Sequence, residues 1–232
     1  FDEEQLIGRL KILDGKAEYG YELSDLPDTN WNEQWEKNFD PVEINESLRI
    51  RAPFHEKDDR FKFDLVISPK MSFGTGHHPT TALVADALFS QSMEGKRMLD
   101  MGSGTGILAV LAEKLGASHV TAIDIDQWCF DNAKENVLLN DCESITILKG
   151  GAECLEESSY DLILANINRN VLLEDMPTYV RSLLPEGVLI MSGFYKNDVP
   201  VISEMAESLD LTITDTRTMN DWVLLTCHKK TL

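Results

Sequence analysis

The sequence predicts an α/β fold: a doubly wound, mostly parallel seven-stranded sheet with a C-terminal antiparallel strand. Three observations lead there. From Lys70 onward, short apolar runs alternate with helical runs, the rhythm of βαβ units and of a sheet covered on both faces. A glycine-rich turn, Gly102-Ser-Gly-Thr-Gly106, follows the first of these apolar runs and opens a helical one. The last two apolar runs are joined by a short turn around Asn220. Such a turn makes a hairpin, so one of the two strands runs antiparallel.

In chain order, Phe1 to Leu13 reads as the end of a helix, with Leu6, Ile7 and Leu10 on one face. Asp14, Gly15 and Gly20 break it, and Asp25 to Asn30 is a turn and cap, which puts a boundary near Pro27. Trp31 and Trp35 share one face of a short acidic helix, and Leu48–Arg51 and Asp64–Ile67 are short strands. Then come strand 97–101, helix 107–115, strand 120–124, helix 127–139 and strands 145–148 and 162–165. A helix over 170–184 is stopped by Pro185 and Gly187, and strand 188–191, helix 199–209 and strands 211–216 and 222–227 complete the chain. The expected organisation is an N-terminal segment, 1–27, a linker helix with short strands, 28–70, and the main domain, 71–232.

Composition narrows the function. The formal charge is −19, and a surface this acidic repels phosphate backbones, so no direct nucleic-acid partner is expected. It attracts a basic protein or a cationic ligand. No apolar run approaches the roughly 20 residues that span a bilayer, and no signal peptide is visible, although a chain starting at Phe1 is read as lacking its true N-terminus. The four cysteines form no CxxC pair and read as reduced packing residues of a cytoplasmic protein.

Four features carry chemistry. The first is the glycine loop after Asp100, where Gly102, Gly104 and Gly106 allow a ligand close to the backbone. Its Gly-x-Gly-x-Gly spacing puts Ile107 where a dinucleotide fingerprint needs its last glycine. The second is Asp124, a carboxylate ending the next strand and able to accept both hydroxyls of a ribose. That fits NAD as well as S-adenosylmethionine, and Asp126 is an alternative as a helix cap. The third is Asn166, at the carboxyl end of an apolar strand, with an amide that offers donors and an acceptor to a reacting group. The fourth is Phe73-Gly74-Thr75-Gly76-His77-His78-Pro79-Thr80-Thr81, a loop leading into a helix whose N-terminal hydroxyls suit a carboxylate. Neighbouring His77 and His78 have no partner at zinc-ligand spacing, so no metal is expected.

Together these motifs resemble the ribosomal-protein L-eleven methyltransferases, the PrmA family, from about Trp31 to the C-terminus. Phe73 to Thr81 is similar to that family's own loop. Asp100 to Gly106, Ala122-Ile-Asp-Ile-Asp126 and Ala165-Asn166-Ile167 follow in order, and Met191 to Phe194 and Trp222 fit as well. The resemblance implies a class I, Rossmann-like methyltransferase fold with S-adenosylmethionine as cofactor and S-adenosylhomocysteine as product. It implies methyl transfer to lysine side chains and an α-amine of a basic large-subunit ribosomal protein. Separately from the resemblance, a cytoplasmic monomer is expected.

By position, Thr81, Gly102, Asp124 and Asn166 correspond to cofactor contacts, and Asn166 is also the candidate catalytic residue. Phe73, Gly74, Thr75, Gly76, Asp100, Gly104, Gly106 and Ile125 complete the expected cofactor set. Two departures stand out. The family has a small recognition domain in front, of which only a remnant up to about Pro27 is expected here. The run Asn166-Ile-Asn-Arg-Asn170 replaces the usual small apolar residues. The rival readings are a class I methyltransferase with another acceptor, a non-catalytic module that binds the cofactor, and an NAD oxidoreductase.

Overall fold

The computed structural model describes residues 3–11, 39–70 and 72–230. The chain divides into two compact units, 1–39 and 40–232. In the first, helix α1 spans Glu3–Leu10, with Leu6 and Leu10 half-buried. The expected boundary at Pro27 and the Trp31/Trp35 helix lie outside the described residues.

The second unit begins with a small sheet. Strands β1 (Val42–Asn45) and β2 (Leu48–Arg51) are antiparallel, and β3 (Phe63–Val66) runs parallel to β2. Leu48, Ile50, Leu65 and Ile67 are buried in the main core, so the short strands expected in the 28–70 stretch are part of this unit.

The main sheet has seven strands: β4 (Arg97–Met101), β5 (His119–Asp124), β6 (Ile145–Lys149), β7 (Tyr160–Asn166), β8 (Leu183–Tyr195), β9 (Leu211–Met219) and β10 (Trp222–Lys229). Their order is β6-β5-β4-β7-β8-β10-β9. All neighbours are parallel except β10, which is antiparallel to both β8 and β9. The hairpin turn holds Asn220 and Asp221 at φ 49° and 67°, the left-handed pair that a two-residue hairpin needs. One strand therefore runs against the rest, as the short turn required.

Both faces of the sheet are buried, and the alternation along each strand shows it. Met98, Val120, Ala122, Leu162 and Leu164 enter one core, while Leu99, Ile123, Ile163 and Ala165 enter the other. The first face is covered by the small sheet and by helices α2 (Pro79–Leu88), α3 (Ile107–Lys114) and α4 (Gln127–Leu139). The second is covered by α5 (Arg169–Ser182) and α6 (Val199–Ser208), through Leu172, Met176, Tyr179, Ile202 and Ala206.

One boundary differs from expectation. Helix α5 stops at Ser182 and the chain passes directly into β8, whose residues 184–187 bulge out between the Tyr160↔Leu183 and Leu162↔Val188 pairs. Pro185 and Gly187 mark that bulge rather than the helix end. The helix is closed by Lys229, whose Nζ donates to the carbonyls of Val180 and Leu183 at 2.7 Å each.

Helix α4 buries a stripe that composition alone does not flag. Asn132 and Asn136, with Asn140 just past the last helical residue, face inward and hydrogen-bond the backbone of residues 66–68. Asn140 accepts from Val66 N (2.8 Å) and donates to Val66 O (2.7 Å), while Asn136 accepts from Ser68 N (2.8 Å) and donates to Thr105 O (2.8 Å). Asn132 donates to Ser68 O at 3.3 Å. Asn136→Ala leaves the Ser68 amide and the Thr105 carbonyl without these partners in a buried place. A loss of roughly 2–6 kcal/mol follows from about 1–3 kcal/mol for each of the two unsatisfied groups. Denaturant unfolding of the variant against wild type checks it.

Candidate active site

The strand order reverses at β4, so the carboxyl ends of β4, β5 and β7 open into a crevice where ligands bind in doubly wound sheets. A cleft of about 470 Å³ lies there. Its walls include Phe73, Gly102, Gly104, Asp124, Ile125 and Asn166, six of the residues singled out from sequence.

Two loops build this cleft by docking on each other. Thr105 N donates to Phe73 O at 2.9 Å, and the Thr105 hydroxyl donates to Gly74 O at 2.5 Å. A side chain on Gly104, at φ 54°, would strike the Phe73 carbonyl, so glycine is required for the approach. Asp124 closes the turn: one carboxylate oxygen accepts from Gly104 N (2.8 Å) and the other from Asp126 N (3.0 Å). This orients the carboxylate while leaving it partly exposed in the cleft.

A second cleft of about 250 Å³ adjoins the first. Phe73, Asn166, Ile167 and Asn168 line both, and His78, Thr80, Gly193 and Trp222 belong to the second alone. Its walls are aromatic. The His78 ring lies 5.0 Å from Phe73 and 4.8 Å from Trp222, and Tyr195 packs on Trp222 at 4.0 Å. Asn166 lines both clefts, and its Oδ1 is buried with no partner in the protein.

The remaining expected residues sit elsewhere, and among the described residues they line neither cleft. Asp100 is fully buried in β4, and Oδ2 accepts from Ala109 N at 3.1 Å, so it ties the strand to the first turn of α3. Gly74 and Gly76 face Thr105 and Ile50, and Gly106 packs on Ala133. Thr75 contacts His77 Nδ1 at 3.2 Å. Thr81 is buried and its hydroxyl has no partner in the protein, while the adjacent Thr80 reaches the second cleft. His78 caps α2 by accepting from Thr80 N, and His77 Nε2 lies 3.0 Å from Asp40 O. Asp124, Asp126 and Cys129 bring donor atoms within 4.8 Å of one another at the cleft wall, and each Asp124 oxygen accepts one backbone amide, which leaves a lone pair free on each.

Sequence reasoning missed several lining residues. Gly150 and Gly151, directly after β6, end a third strand on the same edge, and a glycine pair in that position was a readable signal. Trp128, Val171 and Asp175 lie on helices, where only the packing of α4 and α5 brings them to the cleft. Trp222 starts an apolar run in the sequence, and only the return of β10 to the sheet edge brings it into the second cleft.

The comparisons agree with this architecture. The fold is that of S-adenosylmethionine-dependent methyltransferases. A Burkholderia thailandensis 1,6-didemethyltoxoflavin-N1-methyltransferase, solved with S-adenosylhomocysteine, superposes with a TM-score of 0.55 over 67% of this chain and 80% of its own, at 16% identity. The ribosomal protein L11 methylase of Lactobacillus delbrueckii subsp. bulgaricus gives a TM-score of 0.77 at 27% identity, covering 83% of this chain and all of that one. The ribosomal protein L11 methyltransferase of Porphyromonas gingivalis is 53% identical over 201 residues, 86% of this chain and 69% of that protein. The PrmA family, ribosomal protein L11 methyltransferase, matches residues 2–230, and the chain belongs to it.

Burial pushes the Asp100 carboxyl up to about 7. Above an ordinary value near 3.8, the folded state therefore holds this proton more tightly than the unfolded state. Asp100's contribution to stability falls as pH rises from about 4 to about 7 and stays low above. Asp100→Asn keeps an oxygen for Ala109 N and removes the charge. It should gain on the order of 1–3 kcal/mol at pH 8, and less as the pH is lowered towards 4. Denaturation midpoints across that range check the sign.

Proposed function

We propose that this protein transfers methyl groups from S-adenosylmethionine to amino groups, both lysine side chains and an α-amine, of a large-subunit ribosomal protein. The observation that carries the reading is Asn166: its buried, unpartnered Oδ1 stands where a cofactor-sized cleft meets an aromatic slot. Membership of the methyltransferase family supports the cofactor, and the names of the relatives support L11 as the acceptor. A charge of −19 suits a basic acceptor. No described helix is long and apolar enough to cross a membrane, and the four cysteines are free.

The residues present fit the cofactor. Asp124 would hold the ribose hydroxyls, held ready by the Gly104 and Asp126 amides. Gly102 and Gly104 bring bare backbone to the cleft, and Ile125, 69% exposed, offers it an apolar face. When bound, S-adenosylmethionine supplies a methyl group on a sulfonium, open to displacement by an amine. The protein's task is then largely positioning.

The acceptor's aliphatic stem would pass between Phe73 and Trp222, whose rings exclude water. Asn166 Oδ1 would accept an N–H from the amine and so aim its lone pair. An ordinary lysine has a pKa of about 10.4, so roughly one in 2,500 is neutral at pH 7. The aromatic slot lowers that pKa by desolvation. Burial likewise holds the His78 ring below its usual value, which keeps that wall of the slot uncharged.

Incubation of the enzyme and S-adenosylmethionine with purified ribosomal proteins, followed by intact-mass spectrometry, tests the proposal. Mass gains in steps of about 14 Da on L11 alone are expected; methylation of other proteins only, or of none, would refute it. Asp124→Ala should weaken S-adenosylmethionine binding by roughly 1.5–3 kcal/mol by calorimetry. Asn166→Ala should lower kcat much more than cofactor affinity, and a loss confined to affinity would make Asn166 a binding group only.

A further inference from the structure

Asp175 lines the larger cleft although it belongs to the body of α5, not to any of the loops that build the site. Its surroundings fix which end of the cleft it serves. Along the sheet edge the order is Asn166 at β7, Gly102 beyond β4, Asp124 at β5, then Gly150 and Gly151 beyond β6. With a ribose at Asp124 and the reacting methyl at Asn166, the purine extends toward Gly150 and Gly151. Helix α5 packs on the turn 152–154 that follows those glycines, and the Asp175 carboxyl senses the charge of Glu153 in that turn. Asp175 therefore stands at the purine end.

The carboxylate is held. The Tyr179 hydroxyl, one helical turn on and fully buried, donates to Asp175 Oδ2 at 3.2 Å. Burial and the nearby Glu174 and Glu153 charges push the Asp175 carboxyl up, against the lowering effect of the Tyr179 hydrogen bond. The same cleft presents Ile125 and Trp128, 69% and 62% exposed, as apolar surface for a flat ring.

We propose that Asp175, oriented by Tyr179, reads the exocyclic amine of the cofactor's adenine, accepting one of its N–H bonds. The proposal rests on the S-adenosylmethionine reading of the cleft. A carboxylate has only acceptors, so it favours a 6-amino purine and opposes a 6-oxo purine, whose oxygen is also an acceptor. Asp175 is a specificity residue here, and Tyr179 a positioning residue.

The test is calorimetric binding of S-adenosylhomocysteine and S-inosylhomocysteine to wild type, Asp175→Asn and Tyr179→Phe, with folding followed by circular dichroism. Wild type should prefer the adenosyl compound by about tenfold or more. Asp175→Asn supplies an amide that can donate to the 6-oxo group, so the preference should shrink to less than about threefold. Tyr179→Phe should keep the preference while weakening adenosyl binding a few-fold. Equal binding of both compounds by wild type overturns the proposal and leaves the cofactor reading standing. So does a folded Asp175→Asn variant with the wild-type preference, because a carboxyl that only partners Tyr179 would lower the melting temperature without moving the ratio. Failure of wild type to bind either compound overturns both.

Discussion

The site depends on one buried junction, at Thr105. Its amide is given to the Phe73 carbonyl, its hydroxyl to the Gly74 carbonyl, and its own carbonyl takes the Asn136 amide. Asn136 in turn accepts from Ser68, so helix α4, the glycine loop and the chain entering the Phe73 loop are locked through four hydrogen bonds. A satisfied polar network of this kind rigidifies, and a half-satisfied one is costly. Phe73 is therefore delivered to the cleft by backbone contacts, and its side chain stays available to ligands.

The second constraint is the topology. Because β5 and β7 lie on either side of β4, Asp124 and Asn166 emerge from strands that flank the glycine loop. The antiparallel β10 then returns Trp222 to the same edge, paired with Tyr195 at the end of β8. A wholly parallel sheet would put the start of that strand at the far edge. The hairpin that ends the chain thus supplies the aromatic wall of the smaller cleft, and the two clefts meet at Asn166.

Much of this architecture was legible because it lies in local pattern. The seven apolar runs, the glycine loop and the turn at Asn220 each report on neighbouring residues only. Asp124 and Asn166 were visible because both end a strand on a known edge. What stayed hidden depends on long-range packing. Asn132, Asn136 and Asn140 carry no sign in the sequence of being buried, yet they form an inward stripe that gives the segment 66–68 its hydrogen-bond partners. Asp100, expected in the cofactor set, is buried in β4, where Oδ2 accepts from the Ala109 amide of α3, a partner that only packing reveals. Pro185 and Gly187 looked like a helix stop and prove to be a bulge inside β8. Asp175 and Trp128 carry no local signature, because only the docking of their helices brings them to the cleft.

In the proposed reaction a cofactor cleft and an acceptor slot share Asn166, and the methyl crosses from one to the other there. A crystal structure of the protein with S-adenosylhomocysteine is the decisive measurement. Ribose hydroxyls are expected within hydrogen-bond distance of Asp124, and a thioether sulfur facing Asn166 with the slot between Phe73 and Trp222 open beyond it. A nucleoside seated in the Phe73–Trp222 slot, or a sulfur turned away from Asn166, would contradict it.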